Sequence, residues 1–297
     1  MPISIKQIEA FAAVADLKSF RRAADRLNTT QPNISTRIAA LEARFGFSLM
    51  DRTAGTVRLT ARGAALLPKA RAVLRELDGF VAAAGDDALF EGTLRLGVTE
   101  MVAHVWLGAF LKAFGDRFPN VAVEIDVDMS VEVSAALLDH SLDLALQNGP
   151  FSRDVTGMVP LGAHPMVWVA APGLGVGSRK VTSADFAALP IIAHAKGSAT
   201  YEGLLRHVAA LGGETARIAT STNISACQRM AIDGLGATYL PRPMVEEDLA
   251  EGRLHLLDYE WAPEDLKFWA RYHAESAPSY VAEAAGIAAE IAGNFGR

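Results

Sequence analysis

A chain of 297 residues, 51% hydrophobic and 21% charged, is long enough for about two domains with cores of their own. Its apolar runs are short and interrupted by charges, as in 133-VSAALLDHSLDLAL-146, so none approaches the ~20 residues of a membrane span. The N-terminus lacks a secretory pattern, and one cysteine, Cys227, excludes a disulfide within the chain. The expectation is a cytoplasmic protein with no membrane contact.

The net charge of -6 conceals an asymmetry. Residues 1–75 hold thirteen Lys or Arg against five Asp or Glu (+8), and the remainder fifteen against twenty-nine (-14). A basic module suited to a polyanion is joined to an acidic module with a different task. In the basic part, Ile5, Ile8, Ala12 and Ala15 recur at helical spacing, with Phe11 and Val14 beside them. Ser19 caps a second helix that turns Phe20, Ala23, Ala24 and Leu27 inward. Asn28-Thr29 breaks the pattern and Thr30 caps a third helix, with Pro32 in its first turn, where a missing amide hydrogen costs nothing. Ile34, Ile38, Leu41 and Phe45 form the buried stripe of that helix, and Gly46 suits its C-terminal cap.

Two short helices about a tight turn, the second with a polar leading end, predict a helix-turn-helix. A plain helical hairpin fits less well, because the third helix and the basic charge point the same way. The exposed face of the reading helix offers Gln31, Asn33, Ser35, Thr36 and Arg37. Gln and Asn can pair with adenine, Arg with guanine, and the Pro32 ring can rest on a thymine methyl. The helix N-terminus at Thr30 attracts phosphate. In 49-LMDRTAGTVRLT-60, Ala54-Gly55 lies between strand-like pieces, which predicts a β-hairpin wing with Arg52 and Arg58 on phosphates or in the minor groove. A long helix follows from Thr60. Leu67, Ala70, Leu74, Leu77, Val81 and Ala84 make a heptad seam in it, so it is expected to pair with its copy in a second chain. Packing on its own domain is the alternative, and Pro68 is expected to kink the helix.

These residues in this order resemble the LysR-type transcriptional regulators. The resemblance rests on Ser19-Phe20, Ala23-Ala24, Leu27, Gln31-Pro32, Ser35, Ile38, Leu41-Glu42, Arg52-Thr53, Leu59-Thr60 with Gly63, and 70-ARAVL-74, and it extends over nearly the whole chain. One departure is Ala54-Gly55-Thr56, where members often carry a further wing arginine. The resemblance implies an N-terminal winged helix-turn-helix (1–60), a linker or dimerisation helix (61–89) and a C-terminal effector domain (90–297). That last domain would be a two-lobed α/β unit like a periplasmic binding protein. Lobe I is expected near 91–161 and 267–297, and lobe II near 162–266. Expected partners are double-stranded DNA, a small-molecule effector, a homodimer assembling to a tetramer, and RNA polymerase.

The acidic part alternates strand-like and helix-like stretches, the pattern of α/β layers with mostly parallel sheets. Strand candidates are 93–98, 121–127, 142–147, 166–171, 190–194, 217–222, 237–240 and 267–273, and helical patterns lie at 103–117, 131–140, 201–210, 224–233 and 278–292. Ligands of such sheets bind beyond the carboxyl ends of strands. The corner 97-GVTEMVAH-104 therefore brings Thr99, Glu100 and Met101 to the cleft, with Thr99 also able to cap the helix it opens. Matching corners bring Asp128, Met129 and Ser130, then Gln147 and Asn148. Opposite come His194, Lys196, Gly197 and Ser198, then Thr222, Asn223 and Ser225. Capping without ligand contact is the alternative for each.

Glu100 and Asp128 weaken the anion site at helix-opening corners, while Lys196 and His194 can hold a carboxylate. The corners thus suggest an effector with both an amine and an acid, or else a simple carboxylic acid. Glu100 could instead serve the dipole of its own helix.

Catalysis has no support. The seven histidines (104, 140, 164, 194, 207, 255, 273) have no partner at metal-binding spacing, so neither metal nor cofactor is expected. Cys227 lies in an apolar helical pattern, 173-GLGVG-177 reads as a turn, and 233-DGLGATYLP-241 joins a helix to a buried strand. No Gly-x-Ser-x-Gly corner occurs. An enzyme using the cleft is the alternative function. The favoured one is a DNA-binding regulator: Gln31, Pro32, Asn33, Ser35 and Arg37 read bases while Ser19, Arg21, Arg22, Arg52 and Arg58 meet the backbone. Paired linker helices then require a two-fold operator with half-sites about one helical turn apart.

Overall fold

The computed structural model describes residues 2–51, 57–83, 90–176, 180–211 and 217–295. Helices α1 (Ile5–Leu17), α2 (Phe20–Arg26) and α3 (Gln31–Phe45) close on one core of Phe11, Val14, Leu17, Ala23, Ala24, Ile34, Ile38 and Leu41. The inward face of α1 runs through Ala10, Phe11, Val14 and Leu17, whereas Ile5, Ile8 and Ala15 are only half-buried. The stripe is rotated from the expected one, because the bulkier Phe11 and Val14 face α2 and α3. Both expected N-caps form: the Ser19 hydroxyl accepts from the Arg22 amide at 3.2 Å and that of Thr30 from Asn33 at 3.4 Å. Gly46 ends α3 in the left-handed region at φ 74°.

Strands β1 (Met50–Asp51) and β2 (Arg58–Leu59) pair antiparallel as a wing. Arg52, Thr53 and the 54–56 segment lie outside the described residues. Helix α4 (Ala61–Ala83) continues through Pro68. Of its expected seam, Leu67 and Ala70 pack on the DNA-reading core, Val81 packs on the core of the following domain, and Leu74 and Leu77 are half-buried. Among its described residues, the exposed large hydrophobic side chains of α4 are Val73 (43% exposed) and Phe80 (76%), seven residues apart. Ala84 lies outside the described residues.

The remaining chain builds two sheets. The first contains β3 (Gly92–Val98), β4 (Val121–Val127), β5 (Leu144–Asn148), β6 (Gly157–His164) and β12 (Leu266–Tyr272), in the order β4-β3-β5-β12-β6. Helices α5 (Glu100–Val105), α6 (Leu107–Arg117), α7 (Ser130–Leu138) and α12 (Ser279–Gly293) accompany it. The second contains β7 (Met166–Ala170), β8 (Ile191–His194), β9 (Ile218–Ser221), β10 (Ala237–Pro241) and β11 (His255–Leu256), in the order β11-β7-β10-β8-β9. Its helices are α8 (Ser183–Ala188), α9 (Ala199–Ala210), α10 (Ile224–Ile232) and α11 (Arg242–Ala250). The chain passes from the first sheet to the second at Pro165, between β6 and β7, and returns through β12.

Both sheets are mixed rather than mostly parallel. β3, β4 and β5 run parallel, as do β8, β9 and β10, while β12, β6, β7 and β11 pair antiparallel with their neighbours. The strands that carry the chain between the sheets cause the reversals. Strand β6 escapes a sequence reading because Pro160 interrupts its pattern, and Pro is tolerated there because β6 is an edge. The helical stretch 103–117 divides at Trp106, whose buried indole turns into the core (2% exposed). In 233-DGLGATYLP-241, Gly236 lies so close to the chain at Pro190 that a Cβ would stand 2.7 Å from that carbonyl oxygen.

Candidate functional site

At the start of α3, Gln31, Pro32, Asn33 and Thr36 are exposed, while Ser35 and Arg37 are half-buried. The Asn33 side-chain amide donates to the Thr29 hydroxyl (3.2 Å) and the Thr36 hydroxyl to the Pro32 carbonyl (2.9 Å). Among the described residues, Gln31 has no internal partner and its amide stands open. Arg21 and Arg58 are exposed on the same domain. Arg22 is placed otherwise. Its guanidinium donates to the Asp139 carbonyl (3.0 Å) and the Ser141 hydroxyl (2.7 Å), and it lies 3.3 Å from the Asp139 carboxylate.

The cleft corners fall into two groups. On the first sheet, Ser130 at the start of α7 donates to the Asn148 carbonyl, and Gln147 is fully buried beside it. One orientation of the Gln147 amide satisfies both neighbours: it donates to the Ser130 carbonyl (2.8 Å) and accepts from Arg271 Nη1 (2.9 Å). Arg271 is itself fully buried, its guanidinium 3.9 Å over the Phe151 ring and bonded to the Arg153 carbonyl. Burial lowers its pKa, partly offset by Asp154. Sequence reasoning missed Arg271 and Ser134, which bonds both Gln147 and Arg271. The available signal was an arginine flanked by apolar and aromatic residues near the end of the strand 266-LKFWARY-272. Asp128 is exposed, with its carboxylate accepting its neighbour Met129's amide (2.7 Å).

The second group joins the two sheets. The Glu100 carboxylate, at the start of α5, accepts the Ile224 amide (2.8 Å) through one oxygen and the Ser225 amide (3.2 Å) through the other. These are the first two amides of α10, the positive end of a helix that Asn223 also caps through the Ala226 amide (2.6 Å). Glu100 thus serves a helix of the opposite lobe and not its own. Thr99 does not cap α5; its hydroxyl is buried and, among the described residues, unpartnered. The Met101 side chain packs in the core at 3% exposure.

His194 Nε2 lies 3.1 Å from the Thr222 carbonyl. Burial lowers its pKa, with the Thr222 bond and Glu100 acting against the shift, so the ring is a poor partner for a carboxylate at neutral pH. Ser198 caps α9 through the Tyr201 amide (3.1 Å), and Lys196 is exposed beside it. Cys227 is fully buried. Burial and the nearby Glu100 push its thiol up to about 11. The described residues hold no group of three or more potential metal ligands, and no helix among them is long and apolar enough to cross a membrane.

A winged helix-turn-helix with an open reading face, joined to two α/β lobes that meet at Glu100 and the start of α10, defines a ligand-responsive DNA-binding regulator. The chain belongs to the LysR family of bacterial transcriptional regulators. Residues 5–64 match the family "Bacterial regulatory helix-turn-helix protein, lysR family" and residues 87–286 match "LysR substrate binding domain". Over 260 residues the chain is 31% identical to the "Probable hydrogen peroxide-inducible genes activator" of Mycobacterium avium, covering 86% of this chain and 83% of that one. Its fold is similar to full-length OxyR from Pseudomonas aeruginosa, with TM-score 0.65, 18% identity and coverage of 98% and 95%. ArgP from Mycobacterium tuberculosis gives TM-score 0.63 and 23% identity, with 95% and 96% covered. The protein is a sequence-specific transcriptional regulator controlled by a small molecule bound between two lobes, and it is not an enzyme.

Proposed function

We propose that the effector is amino-acid-like, and that its acid group exchanges with Glu100 at the start of α10. The observation that carries this reading is the pair of bonds from the Glu100 carboxylate to the Ile224 and Ser225 amides. An incoming carboxylate suits those amides and the helix dipole. A simple acid would leave the displaced Glu100 carboxylate beside a second negative charge. An effector that also bears an ammonium group neutralises it. Ser130, Gln147, Asn148, Ser198, Asn223 and the exposed Lys196 complete the proposed walls, with Asp128 at the rim. Thr99 offers its unpartnered hydroxyl. The mycobacterial relative's name mentions hydrogen peroxide, but a response to peroxide through a thiol fits this chain poorly. Its only cysteine is buried and protonated at neutral pH, and a disulfide within the chain needs two.

In the same reading, Gln31, Pro32, Asn33, Ser35, Thr36 and Arg37 contact bases, while Ser19, Arg21, Arg22, Thr30, Arg52 and Arg58 contact the backbone. The protein works in the cytoplasm as a homodimer that assembles to a tetramer and acts on RNA polymerase. The exposed Val73 and Phe80 of α4, Ile125 and Val127 along the open edge of β4, and Val131 at the start of α7 support the oligomer. Thermal unfolding against a panel of amino acids and monocarboxylates tests the effector class. Amino acids should raise the midpoint of the wild type, and Glu100→Gln should lose their advantage over monocarboxylates. Stabilisation of the wild type by monocarboxylates alone would remove the ammonium from the proposal.

A further inference from the structure

Helix α2 of the DNA-reading domain is tied to the effector domain through two arginines. The partner surface is the turn that follows α7, residues 139–143. Arg22 bonds the Asp139 carbonyl, the Asp139 carboxylate and the Ser141 hydroxyl. One turn further along α2, Arg26 donates to the His140 carbonyl (2.9 Å) and pairs with the Asp143 carboxylate. Three oxygen types at Arg22, two of them from acidic or hydroxyl side chains, present what a phosphate presents: several acceptors around one guanidinium.

The turn is built rather than incidental. His140 adopts φ 61°, and its ring stacks 4.2 Å from that of His273. His273 Nε2 lies 2.9 Å from the Leu137 carbonyl at the end of α7. Asp143 is 3% exposed, and its second oxygen accepts the Arg95 amide (2.9 Å). The surface therefore stands preformed, with Asp143 as the buried anchor and Asp139 with Ser141 as the accessible part. The Arg22 and Asp139 side chains remain 41% and 54% exposed, which leaves their pair screened and open to exchange. Helix α7 also begins at the cleft, where Ser130 bonds the Asn148 carbonyl, and its nine residues carry about 14 Å to the turn.

We propose that the 139–143 turn is a phosphate-mimicking docking surface for Arg22 and Arg26 of α2, and that it competes with DNA for Arg22. In the docked form Arg22 is withheld from the DNA backbone; duplex binding releases it. The proposal rests on the reading of Arg22 as a phosphate contact. Because that contact carries no sequence information, the test needs no operator.

Binding of full-length protein to a short duplex of arbitrary sequence is measured by fluorescence anisotropy at low and moderate salt. The proteins compared are the wild type, Asp139→Asn/Ser141→Ala, Arg22→Ala, and the triple variant. Asp139→Asn keeps an acceptor for the Ser141 amide that Asp139 now holds at 2.9 Å, so the turn stays folded. The double variant should bind about two- to five-fold tighter than wild type, the range expected for releasing an exposed ion pair with its hydrogen bonds. Arg22→Ala should bind more weakly, and the triple variant no tighter than Arg22→Ala. Wild-type affinity in the double variant, with Arg22→Ala weakened, would overturn the docking surface and leave Arg22 on phosphate. Unchanged affinity in both would overturn the phosphate role itself. A triple variant tighter than Arg22→Ala would place the effect of the turn elsewhere.

Discussion

The N-termini of α3 and α10 differ in what occupies their first amides, and the difference is instructive. At the start of α3, Thr30 caps from within and the Gln31 amide stands open to solvent. At the start of α10, Asn223 caps from within, but the next amides are taken by Glu100 of the other lobe. Both ends carry the same partial positive charge. One is held open for a macromolecule that arrives with its own phosphates. The other is filled by an internal carboxylate, which any small anion must displace. In the function proposed above, a single backbone device supplies a reading head in one domain and a guarded seat in the other.

Substitutions can sharpen the open side of this comparison. Gln31→Ala should cost roughly 1–3 kcal/mol at its base pair and relax the preference there. Selection of bound sequences from a random pool checks this; a mutant that selects the wild-type sequence would mean that Gln31 does not read bases. Arg58→Ala on the wing should weaken binding to every sequence and lower the salt slope by about 1. Titrations across a salt series check the slope, and an unchanged value would place Arg58 away from phosphate.

Local signals made the first domain legible. The caps at Ser19 and Thr30, the Gly46 terminus and the stripe Ile34, Ile38, Leu41 are decided within a few residues of one another. Strand-to-helix corners were legible for the same reason, so Glu100, Ser130 and Asn223 were placed at the cleft. Their partners were not. The bonds of Glu100 to Ile224 and Ser225 span more than a hundred residues, and sequence spacing carries no trace of them. The same holds for Arg22 with Asp139 and for Arg271 beneath Gln147. The heptad pattern of α4 meets the same limit: Leu67 and Ala70 pack on the DNA-reading core and Val81 on the core of the following domain, and spacing alone does not separate such contacts from those of a paired helix. Arg22 shows the limit most plainly: its position on α2 suits phosphate, while its partners belong to a domain folded from another part of the chain.

The guarded seat is tested most directly by amide hydrogen exchange at Ile224 and Ser225 in ligand-free protein. The account predicts that both amides are protected in the wild type. In Glu100→Ala both should exchange rapidly while the interior amides of α10 keep their protection. Unchanged exchange at Ile224 and Ser225 in Glu100→Ala would contradict it, because the carboxylate would then not be what covers the start of α10.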